Sequence, residues 1–169
     1  MKNTKAIALC GMISALAVVI MLLGGALGVG TYASPMIASL LLMAVGKKYE
    51  QKYHLAAYAA VSVLSFTLVT DIEQVLMFVF LFGLYPIIRP YFHKLTKILR
   101  IISKLLFFNA VVIALEALVM LFLAPEVMSA GLIVSLLLFG NIMFICIDFI
   151  IGRYDVLYRK YLAKILDRF

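Results

Sequence analysis

The chain has 169 residues, 66% of them hydrophobic and 14% charged, with a formal net charge of +7 at pH 7. Soluble globular domains carry about a quarter of their residues as Asp, Glu, Lys and Arg, so this composition argues against a water-solvated fold and for the bilayer as solvent. The cations also argue against nucleic acid as a partner, because they collect beside apolar runs, where they set membrane orientation and meet anionic headgroups.

A helix needs about 20 residues to cross the hydrocarbon core, and six apolar runs of unequal length follow one another. They predict helices over approximately 6–30, 31–46, 55–70, 72–88, 105–124 and 127–152 in a single transmembrane domain. Lys2 and Lys5 precede the first run; Lys47, Lys48 and Lys52 follow the second; Arg89, Lys94, Lys97, Arg100 and Lys104 follow the fourth; Arg153, Arg159, Lys160, Lys164 and Arg168 close the chain. The three remaining turns carry only Asp71, Glu73 and Glu126 as charges. By the positive-inside rule the basic stretches are cytoplasmic. The expected fold is therefore an all-α integral membrane protein, a six-helix bundle in the cell membrane with both termini inside. The first run is too long for a typical signal-peptide core and is read as a retained helix.

Helix one carries Ala8, Gly11 and Ala15 on one face, a small-x-x-x-small step that allows close approach of another helix. It ends in Gly24, Gly25, Gly28 and Gly30, ahead of Thr31, Tyr32, Ser34 and Pro35. Two readings stand for this outer turn: a flexible connection, or a gate over an outward-facing cavity, where irregular backbone is tolerated. The short helices two, three and four must lie against other protein or beside a thinned bilayer. Pro86 should kink helix four, which should stop near Arg89 ahead of Pro90. The segments 91–104 and 154–169 alternate basic and apolar residues at helical spacing, as interfacial helices or as docking surfaces for a cytoplasmic partner.

Polar groups inside the spans are few. Glu116 lies well inside helix five, and an ionisable group at such depth faces a cavity, a ligand or a polar partner. A protonated carboxyl bonded to a neighbouring helix is the structural alternative. Asn109, seven residues earlier, falls on nearly the same face. Asn141 lies mid-span on helix six, as interhelical glue or ligand contact. Asp148, near that helix's inner end, is expected to pair with Arg153 or Arg89. Cys10 and Cys146 read as packing residues rather than a disulfide. No nucleotide-binding loop, HExxH, CxxC or intramembrane carboxylate pair occurs, so the expectation is a non-enzyme without cofactor or metal site.

The layout of six helices with short central spans and a small-residue step on helix one resembles the substrate-binding S component of energy-coupling factor transporters. The string LFGLYPIIRPYF, followed by SKLLFFN at Ser103 to Asn109, is similar to a family of uncharacterised bacterial membrane proteins of the same layout. The first resemblance implies capture of a vitamin-like small solute from outside, and docking through helix one on a coupling membrane subunit driven by two cytoplasmic ATPases. The family commonly has an Ala-x-x-x-Ala step where this chain has Gly11-x-x-x-Ala15. It also implies a cavity under the first outer turn, with Glu116, Asn109 and Asn141 as solute contacts and Tyr32, Tyr58 or Phe66 stacking on the solute in a chain without Trp. A metal-transporting member would carry an early His, which Met1-Lys2-Asn3 lacks. The alternative from a different class is a non-transporting accessory or scaffold subunit that holds a protein partner through its basic segments.

Overall fold

The computed structural model describes residues 2–27, 30–122, 130–158 and 160. Every regular element among them is helical: α1 (Lys2–Leu27), α2 (Ala33–Lys48), α3 (Gln51–Leu68), α4 (Ile72–Met77), a π-helical segment (Phe78–Phe82), α5 (Tyr85–Phe92), α6 (Lys97–Phe122) and α7 (Ala130–Leu157). Four stretches are long and apolar enough to cross a membrane: Thr4–Leu27, Ile72–Phe92, Lys97–Leu118 and Leu137–Tyr154. Gly28, the turn containing Glu126, and most of the basic tail at 154–169 lie outside the described residues or have no described side chain.

The helices form two compact units, one of the described residues up to Ile87 and from Ile151 on, the other of those between Ile88 and Ile150. In the first, α1 packs on α2 and α3. Its buried face runs Ala6, Leu9, Ile13, Ala17 and Met21, steps of three and four residues that keep one stripe inward. Leu42 and Val45 of α2, Ala57 and Val61 of α3, and Val75 and Phe78 complete this core. In lipid such a core is held by dispersion contacts rather than by a hydrophobic drive, which makes the fit of small residues decisive.

The fourth apolar run is broken ahead of its proline. Gly83 N–H reaches back five residues to the Phe78 carbonyl at 2.7 Å, so the helix widens into a π turn and the chain turns at Gly83 before α5 begins. Pro86 then sits in the first turn of α5, where an N–H would have no partner within that helix. The helix ends at Phe92, three residues beyond the expected stop at Arg89, with Pro90 inside it.

In the second unit, the structure differs from the expected boundary at residue 105. Residues 91–104 form no separate interfacial helix: Tyr91 and Phe92 close α5, a turn follows, and Lys97–Lys104 is the opening of a continuous α6. Between Lys97 and Phe122 there is no Gly or Pro to interrupt it. The stacked rings of Phe108 and Phe144, centroids 4.7 Å apart, join α6 to α7. Gly140 admits this packing, since a Cβ there would stand 3.0 Å from the Phe108 ring.

Candidate functional site

Three polar constellations stand out, two in the first unit and one in the second. At the end of α1 the glycine-rich turn is bound to the turn that opens α4. Gly30 N–H bonds the Gly24 carbonyl at 3.3 Å and Ser34 N–H bonds the Gly30 carbonyl at 2.9 Å. A Cβ on Gly24 would overlap the Ser34 side chain, and one on Gly30 would overlap both Ser34 and the Gly24 backbone, so this crossing requires glycine for space. Asp71 caps α4 by accepting from Gln74 N–H at 3.1 Å, and its other oxygen accepts the Thr31 hydroxyl at 2.9 Å. Tyr32 donates its hydroxyl to Glu73 at 2.7 Å. Gln74 is fully buried; its amide donates to the Met21 carbonyl at 2.9 Å, and its Oε1 has no hydrogen-bond partner. The structure thus gives the turn after α1 defined ties to α4.

The second constellation repairs the broken span. The π turn takes Gly83 N–H to Phe78, which leaves the Val79 carbonyl without its usual partner four residues on. Tyr58 of α3 donates its hydroxyl there at 2.7 Å, with its ring against Gly83 and 6.0 Å from the Phe78 ring. The Phe82 carbonyl would pair with the N–H of residue 86, but Pro86 has none. Ser39 of α2 donates to it instead at 2.6 Å.

The third constellation ties α6 to α7. Asn109 and Asn141 exchange amide bonds, at 3.2 Å and 2.8 Å, and each also donates to the carbonyl four residues before it, Leu105 and Leu137. Asp148 receives Lys104 at 2.7 Å and Arg89 at 2.9 Å, so the expected pair with Arg89 is present and Lys104 joins it. Glu116 is 8% exposed on α6.

Of the residues expected to contact a solute, Asn109 and Asn141 come together and bond one another. Tyr32 lies on the turn between α1 and α2 with Glu73, and Tyr58 lies against the π turn. The expected docking residues Ala8, Gly11 and Ala15 are all exposed, and a Cβ on Gly11 would meet no atom within 4 Å. Beside this face, Lys5, Ala8, Leu9, Met12, Lys48 and Tyr49 line an open cavity of about 180 Å³.

Ser39 and Gln74 were not among the expected site residues. A signal for Ser39 existed: Pro86 guarantees an orphaned carbonyl at Phe82, and a buried orphan must find a donor. For Gln74 the signal was its place three residues after the Asp71 cap, the Gln position of a capping box. Its side chain reaches Met21 rather than back to the cap, and only the packing of α1 against α4 reveals that.

Among the described residues no group of three or more His, Cys, Asp or Glu side chains is arranged to hold a metal ion. Cys10 and Cys146 are free thiols. The chain matches no family model, no curated protein and no solved structure.

Proposed function

We propose that the chain is a membrane-embedded subunit of a modular importer, S-component-like, with six helical passes and both termini in the cytoplasm. In this reading it captures a small solute at its outer end and docks through α1 on a coupling membrane subunit driven by cytoplasmic ATPases. One observation carries it: α1 buries a full stripe against α2 and α3 yet leaves its small-residue stripe Ala8, Gly11, Ala15 bare. Small residues let backbones approach closely, and in lipid this is how helices associate. The turn tied over buried Gln74, with one amide oxygen unbonded, supports a solute entrance at the other end of α1.

The test is mild-detergent purification of the tagged chain from native membranes with mass spectrometry of what accompanies it. Two ATPases and a coupling membrane protein are the expected companions, and Gly11→Leu is expected to lose them while keeping the fold. Recovery of the same set with Gly11→Leu would remove α1 as the docking face. A second reading, a non-transporting accessory subunit, is favoured by the mutual engagement of Asn109 with Asn141 and of Asp148 with Lys104 and Arg89. It predicts one stoichiometric partner without ATPases in the same experiment.

A further inference from the structure

Among the described residues, the cations around the turn between α5 and α6 outnumber the carboxylates that meet them. Between residues 88 and 104 there are five Lys and Arg residues and no carboxylate. Among the described residues the acid that reaches them is Asp148 from α7, and it is shared by Lys104, whose side chain is 8% exposed, and Arg89. Two cations on one carboxylate leave one positive charge over, at a place where hydration of Lys104 is largely removed. Arg100 adds another. Its Nη2 donates to the carbonyls of His93 at 3.3 Å and Leu95 at 3.2 Å, which holds the guanidinium in place, while its buried Nε has no acceptor. His93 senses this excess: burial first, then Arg89, Lys104 and Arg100, hold its imidazole below the ordinary range, with Asp148 alone opposing.

The surface next to these cations is apolar and faces outward. Ile98, Ile101, Ile102 and Leu106 are all more than half exposed and recur at three- and four-residue steps along α6, so they form one strip. Exposed Tyr91 has the Lys94 ammonium 5.4 Å from its ring centre, the amphipathic pairing found at a membrane–water boundary. Phe92 packs on Phe107 at 6.0 Å and folds the turn against α6. A phosphate beside an acyl chain is the ligand that this arrangement fits: a cluster of cations beside an apolar strip on a membrane-length helix matches an anionic lipid in both parts. A fixed Arg fork suits phosphate better than a point charge does.

We propose that Arg89, His93, Arg100 and Lys104 form a headgroup site for an anionic phospholipid, whose acyl chain lies along Ile98, Ile101, Ile102 and Leu106. The proposal requires a membrane-embedded chain but not the importer reading, so either can fail alone.

The test uses the full chain in a neutral detergent, with native mass spectrometry of bound lipid and thermal unfolding as readouts. Phosphatidylglycerol is titrated against phosphatidylcholine of the same chains, with inorganic phosphate as a third arm. The expected result is one saturable phosphatidylglycerol that raises the melting temperature, with no comparable effect of phosphatidylcholine or phosphate. Arg100→Gln should weaken that binding about tenfold, Arg100→Lys should restore it only in part, and Lys48→Gln, in the other unit, should leave it unchanged. Equal binding of both lipids would overturn the proposal. So would the same stabilisation by free phosphate, or equal losses in Arg100→Gln and Lys48→Gln, which would mean diffuse surface charge. Should Arg100→Gln fail to fold, replacement of Ile98 and Ile101 by Ser leaves every cation in place and is expected to weaken phosphatidylglycerol binding; no weakening would equally overturn it.

Discussion

In the broken span from Ile72 to Phe92, the polar atoms in need of partners are backbone carbonyls, and side chains of α2 and α3 supply the donors. Along α6 and α7 the backbone is uninterrupted, and polar side chains bond one another instead. Packing follows the same division: half of the most apolar window of the broken span is buried, against 22% for the windows on α6 and α7. A π turn and a proline leave Val79 and Phe82 carbonyls that lipid cannot satisfy, so that stretch must be enclosed by helices able to donate to it. An intact helix satisfies its own backbone and can leave most of its surface to lipid. Two polar clasps, Asn109–Asn141 and Lys104–Asp148–Arg89, then suffice to set the pairing of α6 with α7.

The most severe way to break the clasped pair is Asp148→Ala, which leaves the Lys104 ammonium buried without its counter-charge. Removing one partner of such a pair is expected to cost roughly 3 kcal/mol, read as a lower unfolding midpoint in detergent. Lys104→Met in the same chain should recover most of it, and no recovery would mean that Asp148 acts through Arg89 alone.

On the densely packed side, acid should act through His54, which stands in the first turn of α3 ahead of its apolar run. Burial alone lowers its pKa from 6.5 to about 4. The unfolded chain takes up this proton near pH 6.5 while the folded chain refuses it until about pH 4. Stability should therefore be level above pH 6.5 and fall as pH drops toward 4, by up to about 3 kcal/mol. Thermal unfolding at pH 7 and pH 4.5 measures this, and His54→Gln should flatten the difference; an equal slope in that variant would assign the acid sensitivity elsewhere.

The carbonyl repair is probed by Ser39→Ala, which orphans the Phe82 carbonyl at a cost of about 1–3 kcal/mol. Pro86→Ala restores an N–H four residues beyond Phe82. The double variant should thus lose less than the sum of the singles, and strict additivity in a double-mutant cycle would show that Ser39 does not stand in for the proline's missing donor. The smallest effect is expected at the amide clasp. Asn109→Leu combined with Asn141→Leu should reveal a coupling of about 0.6–1.7 kcal/mol, the range for hydrogen bonds between membrane helices. If the same two residues also contact a solute, ligand affinity will fall by more than stability does, which separates clasp from binding site.

Much of this was legible in the chain. Every regular element among the described residues is helical and four stretches are long and apolar enough to cross a membrane, as expected of apolar length, a property of consecutive residues. The partnership of Asp148 with Arg89 was open only as one of two choices, since Arg153 lies on the same helix and Arg89 on another. The amphipathic stretch 91–104 misled as to its form: its periodicity is real, but periodicity cannot say whether a surface helix ends or runs on into a span, and the uninterrupted helix formers after Lys97 carried it on.

The residues by themselves therefore determined the composition for lipid, the helical runs and the positions of charge, all set by local chemistry along the chain. The tertiary structure alone decided which polar atoms meet. It brought Ser39 to Phe82, Tyr58 to Val79, Gln74 to Met21, Asn109 to Asn141 and Lys104 to Asp148. Each of these contacts joins residues 21 to 53 positions apart, a range over which a pairing depends on how whole helices pack, and no local propensity encodes it.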